Sequence, residues 1–415
     1  MPTKAEPLFY DARVGNYWIR NGQEFIRLDT GHARLHLRAG GCNPDKYDHG
    51  LNEVERGLVN AQKDRLVHYS GPIAGFPVGP LVLQDARRVL VTSQAHPVKP
   101  VKGDSDALDK FIAELLPGEQ AQHFCLWLAA GLRAQACVSF APGQMVGLAG
   151  PAGCGKSLLQ AVVAAAFGGR SACPYQYLTG ETKFNQHLAE AEVWTIQDCA
   201  SSTDIRTRRK FGASLKEAIV NREIAVYPKG GKAVMLPTFR RVTASFNDEP
   251  ENVMLMPPMD ESLLDKVNLY HCGHAEVGDD RAKTWSTFTA ELPAFLHQCL
   301  ALKVPAKWRD NRYGVKSFQH PLLLEILSSA AQEARLLNIV DETLFSSRDG
   351  SPWVGSATQL ERQLSATDMA PIVAKLCYYS TACAVYLSRL AAKQPERVTK
   401  QVRDGKPVWT ITAPK

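Results

Sequence analysis

The residues best equipped for chemistry are Gly150-Pro151-Ala152-Gly153-Cys154-Gly155-Lys156-Ser157, which satisfy G-x-x-x-x-G-K-[ST] in full. Glycines let backbone N–H groups curl around an anion, and the N-terminus of a following helix adds partial positive charge. At this spacing Lys156 reaches the β- and γ-phosphates of a nucleoside triphosphate, and the Ser157 hydroxyl can bind Mg²⁺. The expected ATP-binding residues are therefore Gly150, Pro151, Ala152, Gly153, Cys154, Gly155, Lys156, Ser157 and Leu158, with ATP and Mg²⁺ as cofactors.

Hydrolysis also needs an acid at the end of a neighbouring strand, to hold the metal shell and polarise water. Val193-Trp194-Thr195-Ile196-Gln197-Asp198 supplies an apolar run and one carboxylate, so Asp198 is the second expected Mg²⁺ ligand; a turn cap is the alternative. Gln197 and Cys199 flank it where a second acid would serve as general base, which permits ATP binding with slow hydrolysis. Arg241-Val242-Thr243-Ala244-Ser245-Phe246-Asn247 reads as a strand ending in Asn247, an amide suited to orient water or sense the γ-phosphate.

These groups need a frame. Met145 to Ala149 reads as a short buried strand, and Ser157 to Phe167 as a helix stopped at Gly168-Gly169. Glu223 to Tyr227 and Ala233 to Leu236 read as two strands joined by Pro228-Lys229-Gly230-Gly231-Lys232, whose lysines have the reach and charge for phosphate contacts. Arg206 to Lys210 is a second basic run, read as preceding a helix. Residues 1–100 form a small β-rich or α+β domain, with short alternating runs such as Tyr17 to Arg20 and Ala33 to Arg38, closed by a proline-broken linker from His96 to Asp104. Residues 104–140 read as a helical collar, 141–310 as the nucleotide-binding unit, and 315–415 as a helical region followed by a terminal module. That module has a capped helix at Ser356 to Leu364, a longer helix at Thr381 to Lys393, and a basic hairpin about Asp404-Gly405. The pattern predicts a winged helix-turn-helix with Tyr386, Arg389 and Lys393 facing DNA and Lys400, Arg403 and Lys406 on the wing; packing against the motor or a partner is the other use of such a fold.

Composition sets the outer limits. A chain of 415 residues with 45% hydrophobic content can bury a large core, and a net charge of +6 allows a nucleic-acid partner without requiring one. Ten cysteines without a CxxC pair fit reduced thiols better than disulfides or zinc, and Tyr270-His271-Cys272-Gly273-His274 is expected to be a buried strand end rather than a metal site. No apolar run reaches membrane-spanning length and no leader pattern opens the chain, so a cytoplasmic location away from membranes is expected.

The order of P-loop, acidic strand, basic hairpin and Asn-ended strand resembles the superfamily 3 helicases, an AAA+ subgroup of DNA viruses, phages and plasmids, and more narrowly the helicase part of phage and poxvirus primase-helicases. Gly180-Glu181-Thr182-Lys183-Phe184-Asn185, Lys216-Glu217-Ala218-Ile219-Val220 and Ser245-Phe246-Asn247-Asp248-Glu249-Pro250 support it, over about residues 118–272; the first hundred residues hold no polymerase carboxylate cluster. The resemblance implies an α/β P-loop AAA+ core and a homo-hexameric ring with ATP between subunits. It further implies Lys229 and Lys232 in the ring channel and a positive finger from the neighbouring subunit. Lys266 is the first candidate for that finger, where the family has arginine, and Arg281 the second. The expected function is an ATP-dependent DNA helicase that replicates a phage or mobile element, acting on single-stranded or forked DNA with a separate primase or other replication proteins. A nucleotide-binding DNA scaffold with little hydrolysis and a regulatory ATPase of phage defence are the alternatives.

Overall fold

In Met145–Ala149 (β1) every residue is buried, the pattern of a strand covered on both faces by helices. The computed structural model describes residues 6–137, 143–197, 205–227, 233–247, 256–257, 259, 261–329, 332–345, 351–403 and 405–414. After β1 come a helix at Lys156–Ala166 (α1), a strand at Ser171–Ala172 (β2) and one at Val193–Ile196 (β3). A long helix at Ile205–Val220 (α2) and strands at Arg241–Phe246 (β4) and Val267–His271 (β5) complete the unit. The sheet runs β2-β3-β4-β1-β5 with every pair parallel. The chain thus leaves β1 for the far edge, works back until β4 lies beside it, and then places β5 on its other side. Strand order reverses at β1, and ligands of open α/β sheets bind beyond the carboxyl ends of the strands at such a reversal.

Two helices, Asp106–Leu115 and Glu119–Ala136, cover this sheet together with Arg281–Ala301. Leu108, Phe111, Ile112 and Leu115 recur at helical spacing and join Leu148, Leu159, Val163 and Phe295 in one buried cluster. Buried His123 bonds Tyr270 Oη and the Lys316 carbonyl, both at 2.7 Å, and burial lowers its pKa to about 4.

The segment before the linker combines three small sheets with helices at Thr30–Ala39 and Glu53–Asp64. The alternating run Ala33 to Arg38, expected as strand-like, is helical. Asp29 caps that helix by accepting from His32 N, Ala33 and Leu37 are buried one turn apart, and Leu35, the apolar residue between them, is 60% exposed. The segment is stitched to the residues that lead into β3 and β4. Ala74 N donates to the Ala189 carbonyl, Phe239 N donates to the Ala74 carbonyl, and Gly75 N donates to Glu192 Oε1 at 2.9 Å. Glu192 is itself fully buried and paired with Arg170.

The basic run Arg206 to Lys210 lies inside α2 rather than ahead of it, and Arg208 is buried, donating to the Met256 carbonyl at 3.0 Å. The chain divides into two compact units, Met1–Leu323 and Leu324–Lys415. The second has helices at Gln332–Val340, Ala357–Leu364, Ala370–Leu376 and Ala382–Lys393, with a strand at Trp353–Gly355 that joins the hairpin Val398–Arg403 and Lys406–Ile411. Ser356 and Gln359 form the capping box that their spacing predicts. Among the described residues no helix is long and apolar enough to cross a membrane.

Candidate functional site

The loop Gly150 to Gly155 leaves the carboxyl end of β1 at the reversal point and turns into α1. A side chain on Gly150 would stand 2.8 Å from Cys272 Cβ and 2.9 Å from the Cys272 carbonyl oxygen, so only glycine lets the loop pass the end of β5. Gly155 has φ +115° and enters α1 in a conformation that residues with a Cβ rarely adopt. No side chain caps α1, whose first-turn N–H groups have no intrahelical acceptor. Pro151, Ala152, Gly153 and Ser157 are exposed, Leu158 is half-buried, and Cys154 is turned inward and buried.

Lys156 is almost wholly shielded from solvent, with only 8% of it exposed. Its ammonium donates to the Gly150 and Pro151 carbonyls, both at 2.7 Å, and reaches Asn247 Oδ1 at 3.4 Å. Asn247 arrives there because Phe246 pairs with Ala149 across the β4–β1 ladder, and Gly150 N donates to the Phe246 carbonyl at 3.3 Å. Cys154 Sγ lies 3.8 Å from the same ammonium. The Cys272 thiol, hydrogen-bonded to Cys154, lowers the Cys154 pKa to about 6 against the opposing effect of burial, and the charge of Lys156 adds to the lowering.

These residues fit a polyphosphate. The loop is exposed, the helix end is uncapped, and the one ammonium is held by neutral carbonyls that compete poorly with charged phosphate oxygens.

Gln160 is a site residue that sequence reasoning missed. Buried one turn beyond Lys156, it donates to the Ile196 carbonyl at 3.2 Å and to Thr243 Oγ1 at 3.1 Å, joining α1 to β3 and β4. Its signal was a single amide in an apolar helix. Asn185 closes the Gly180 to Asn185 motif and has a role of its own. It is fully buried, and it donates to the Ala225 carbonyl and accepts from Tyr227 N, both at 2.8 Å, which anchors the first strand of the 223–237 hairpin.

Asp198, one residue beyond exposed Gln197, lies outside the described residues, as do Lys229 and Lys232. The strands on either side of that tip, Glu223–Val226 and Val234–Pro237, pair antiparallel. Lys266 is nearly buried and bonds Asp265 Oδ1 at 2.6 Å, whereas Arg281 is exposed at the start of its helix. The 270–274 cluster is a strand end with Tyr270 and Cys272 buried. In the second unit Tyr386, expected to face DNA, is instead fully buried, and its hydroxyl donates to the Leu376 carbonyl. Arg389 and Lys393 both pair with Glu333, at 3.5 and 2.8 Å. Lys400, Arg403 and Lys406 are exposed.

A family model described as "Family of unknown function (DUF5906)" matches residues 148–261, which begin in β1 and contain the loop, Asn185 and Asn247. Against curated proteins the chain has no match. Among solved structures it is similar to the apo structure of the NrS-1 C terminal region (305-718), at 14% identity and a TM-score of 0.59, over 99% of this chain and 97% of that one. It is also similar to the A form apo structure of the same region, at 13% identity and a TM-score of 0.56 with the same coverage. SCCmec type IV Cch, an active helicase, is matched at 13% identity over 94% of this chain and 73% of that one, with a TM-score of 0.30. At full length, therefore, this chain is similar in fold to the NrS-1 C terminal region.

Proposed function

We propose that this chain is an ATP-driven DNA motor of the superfamily 3 type, a P-loop AAA+ helicase subunit that assembles into a ring and moves on single-stranded DNA during replication of a phage or mobile element. The observation that carries the reading is the meeting of Lys156 and Asn247 at 3.4 Å, beyond the carboxyl ends of β1 and β4 where strand order reverses.

ATP with Mg²⁺ supplies the phosphoanhydride whose hydrolysis drives movement. The N–H groups of the loop and of the first turn of α1 bind and orient the phosphates, and Lys156 exchanges its carbonyl partners for them. Ser157 and Asp198 would hold the metal, and Asn247 positions water. Because Gln160 binds α1 to both β3 and β4, Ser157 at the start of α1 and Asn247 at the end of β4 keep a fixed spacing. Lys229 and Lys232 follow the DNA backbone. Arg281, exposed, is better placed than the Asp265-bound Lys266 to reach a neighbouring subunit's nucleotide. The order helix, strand, helices, hairpin in the second unit supports a winged helix that assists DNA binding through Lys400, Arg403 and Lys406.

ATP turnover with and without single-stranded DNA tests the proposal, with Lys156→Ala as control. Turnover stimulated by DNA and lost in the variant is expected; ATP binding with no turnover would reject the motor. That second result would favour a nucleotide-stabilised scaffold, the reading that Gln197 before Asp198 supports.

A further inference from the structure

Three elements of the second unit bring metal-ligating atoms together. Glu361 projects from Ala357–Leu364, Cys377 directly follows Ala370–Leu376, and Cys383 lies in the first turn of Ala382–Lys393. Their carboxylate and thiol atoms all lie within 4.8 Å of one another, and no other group of three such residues forms among the described residues. Cys377 and Cys383 are 8% and 1% exposed, while Glu361 is half-buried. No salt bridge to Glu361 is found among the described residues, so its carboxylate faces two thiols without a cation to balance it.

We propose that Glu361, Cys377 and Cys383 bind a single soft divalent cation of the Zn²⁺ class. Two thiolates and one carboxylate are a tetrahedral donor set for a metal without geometric preference, and water on the half-buried Glu361 side completes it. Binding releases two protons, one from each thiol as its sulfur–metal bond forms, and no electron moves. Two helices and the residue that directly follows a third each give one ligand, so the ion acts as a clip between three segments of the unit.

The test uses the full chain, purified reduced and metal-free, and titrated with Co²⁺. Thiolate-to-cobalt charge-transfer absorption should saturate at a single ion per chain and vanish on adding Zn²⁺. Cys383→Ser should abolish it, and Glu361→Gln should weaken affinity by about tenfold or more. Wild-type protein should also show Cys377 and Cys383 shielded from alkylation by Zn²⁺ in peptide mapping, which decides the matter if the serine variant does not fold. Equal alkylation with and without Zn²⁺, an unchanged cobalt band in a folded Cys383→Ser protein, or a Cys377–Cys383 disulfide in freshly isolated material would each overturn the proposal.

Discussion

Lys156 and Asn247 stand 91 positions apart in the chain and 3.4 Å apart in space. The ammonium already spends two hydrogen bonds on its own loop, so the bond to asparagine is the longest of its bonds to oxygen and the easiest to exchange. Asn247→Ala should therefore leave ATP affinity within a few-fold while turnover falls by about a hundredfold, as for loss of one preorganised polar group. Nucleotide binding by fluorescence and steady-state turnover on the same preparation separate the two effects.

A pH dependence follows from Cys154. Its folded pKa of about 6 is below that of an unfolded thiol, so the stability it contributes is full above the unfolded value of about 8.5 and is lost as pH falls through about 6. Calorimetric Tm should climb between these limits. Cys272→Ala removes the thiol that is the largest cause of the lowering, and the Tm curve should flatten; an identical slope in the two proteins would count against the pairing.

Glu192→Ala should cost about 3 kcal/mol of stability, because it leaves Arg170 without its buried partner and Gly75 N without its acceptor. Urea unfolding followed by fluorescence gives the value.

In the hairpin of Val398–Arg403 and Lys406–Ile411, replacing Lys400, Arg403 and Lys406 together by Ala should weaken DNA binding roughly equally across sequences. The slope of log affinity against log salt should fall by about one for each phosphate that the variant no longer neutralises. Affinities measured over a salt series test this, and an unchanged slope would place the DNA elsewhere.

Much of the frame was legible in the sequence because it depends on local rules. The buried strand Met145–Ala149, the glycine-opened α1, the capping box at Ser356 and the hairpin strands around residue 230 all have neighbours in sequence that fix them. The helix at Thr30–Ala39 reads as a strand because alternation over six residues fits a strand as well as a short helix, and the Asp29 cap decides between them. Long-range pairs carry no such signal. Nothing near Gln160 in the sequence announces Ile196 and Thr243, and Tyr386 reads as an exposed helical aromatic until the Leu376 carbonyl is placed beside its hydroxyl. The Glu361, Cys377 and Cys383 group is silent in the sequence because its two cysteines are separated by five residues, outside the finger spacings.

The stitching of Ala74 and Gly75 to Ala189, Glu192 and Phe239 bears on how the protein is cut. A fragment started at the proline-broken linker would lift a strip of backbone off the residues that lead into β3 and β4, strand the Phe239 amide, and leave the Glu192 carboxylate short of a donor. A piece that keeps these contacts must begin ahead of Ala74, so the backbone around Ala74 and Gly75 is part of the same compact unit, Met1–Leu323, rather than a detachable attachment.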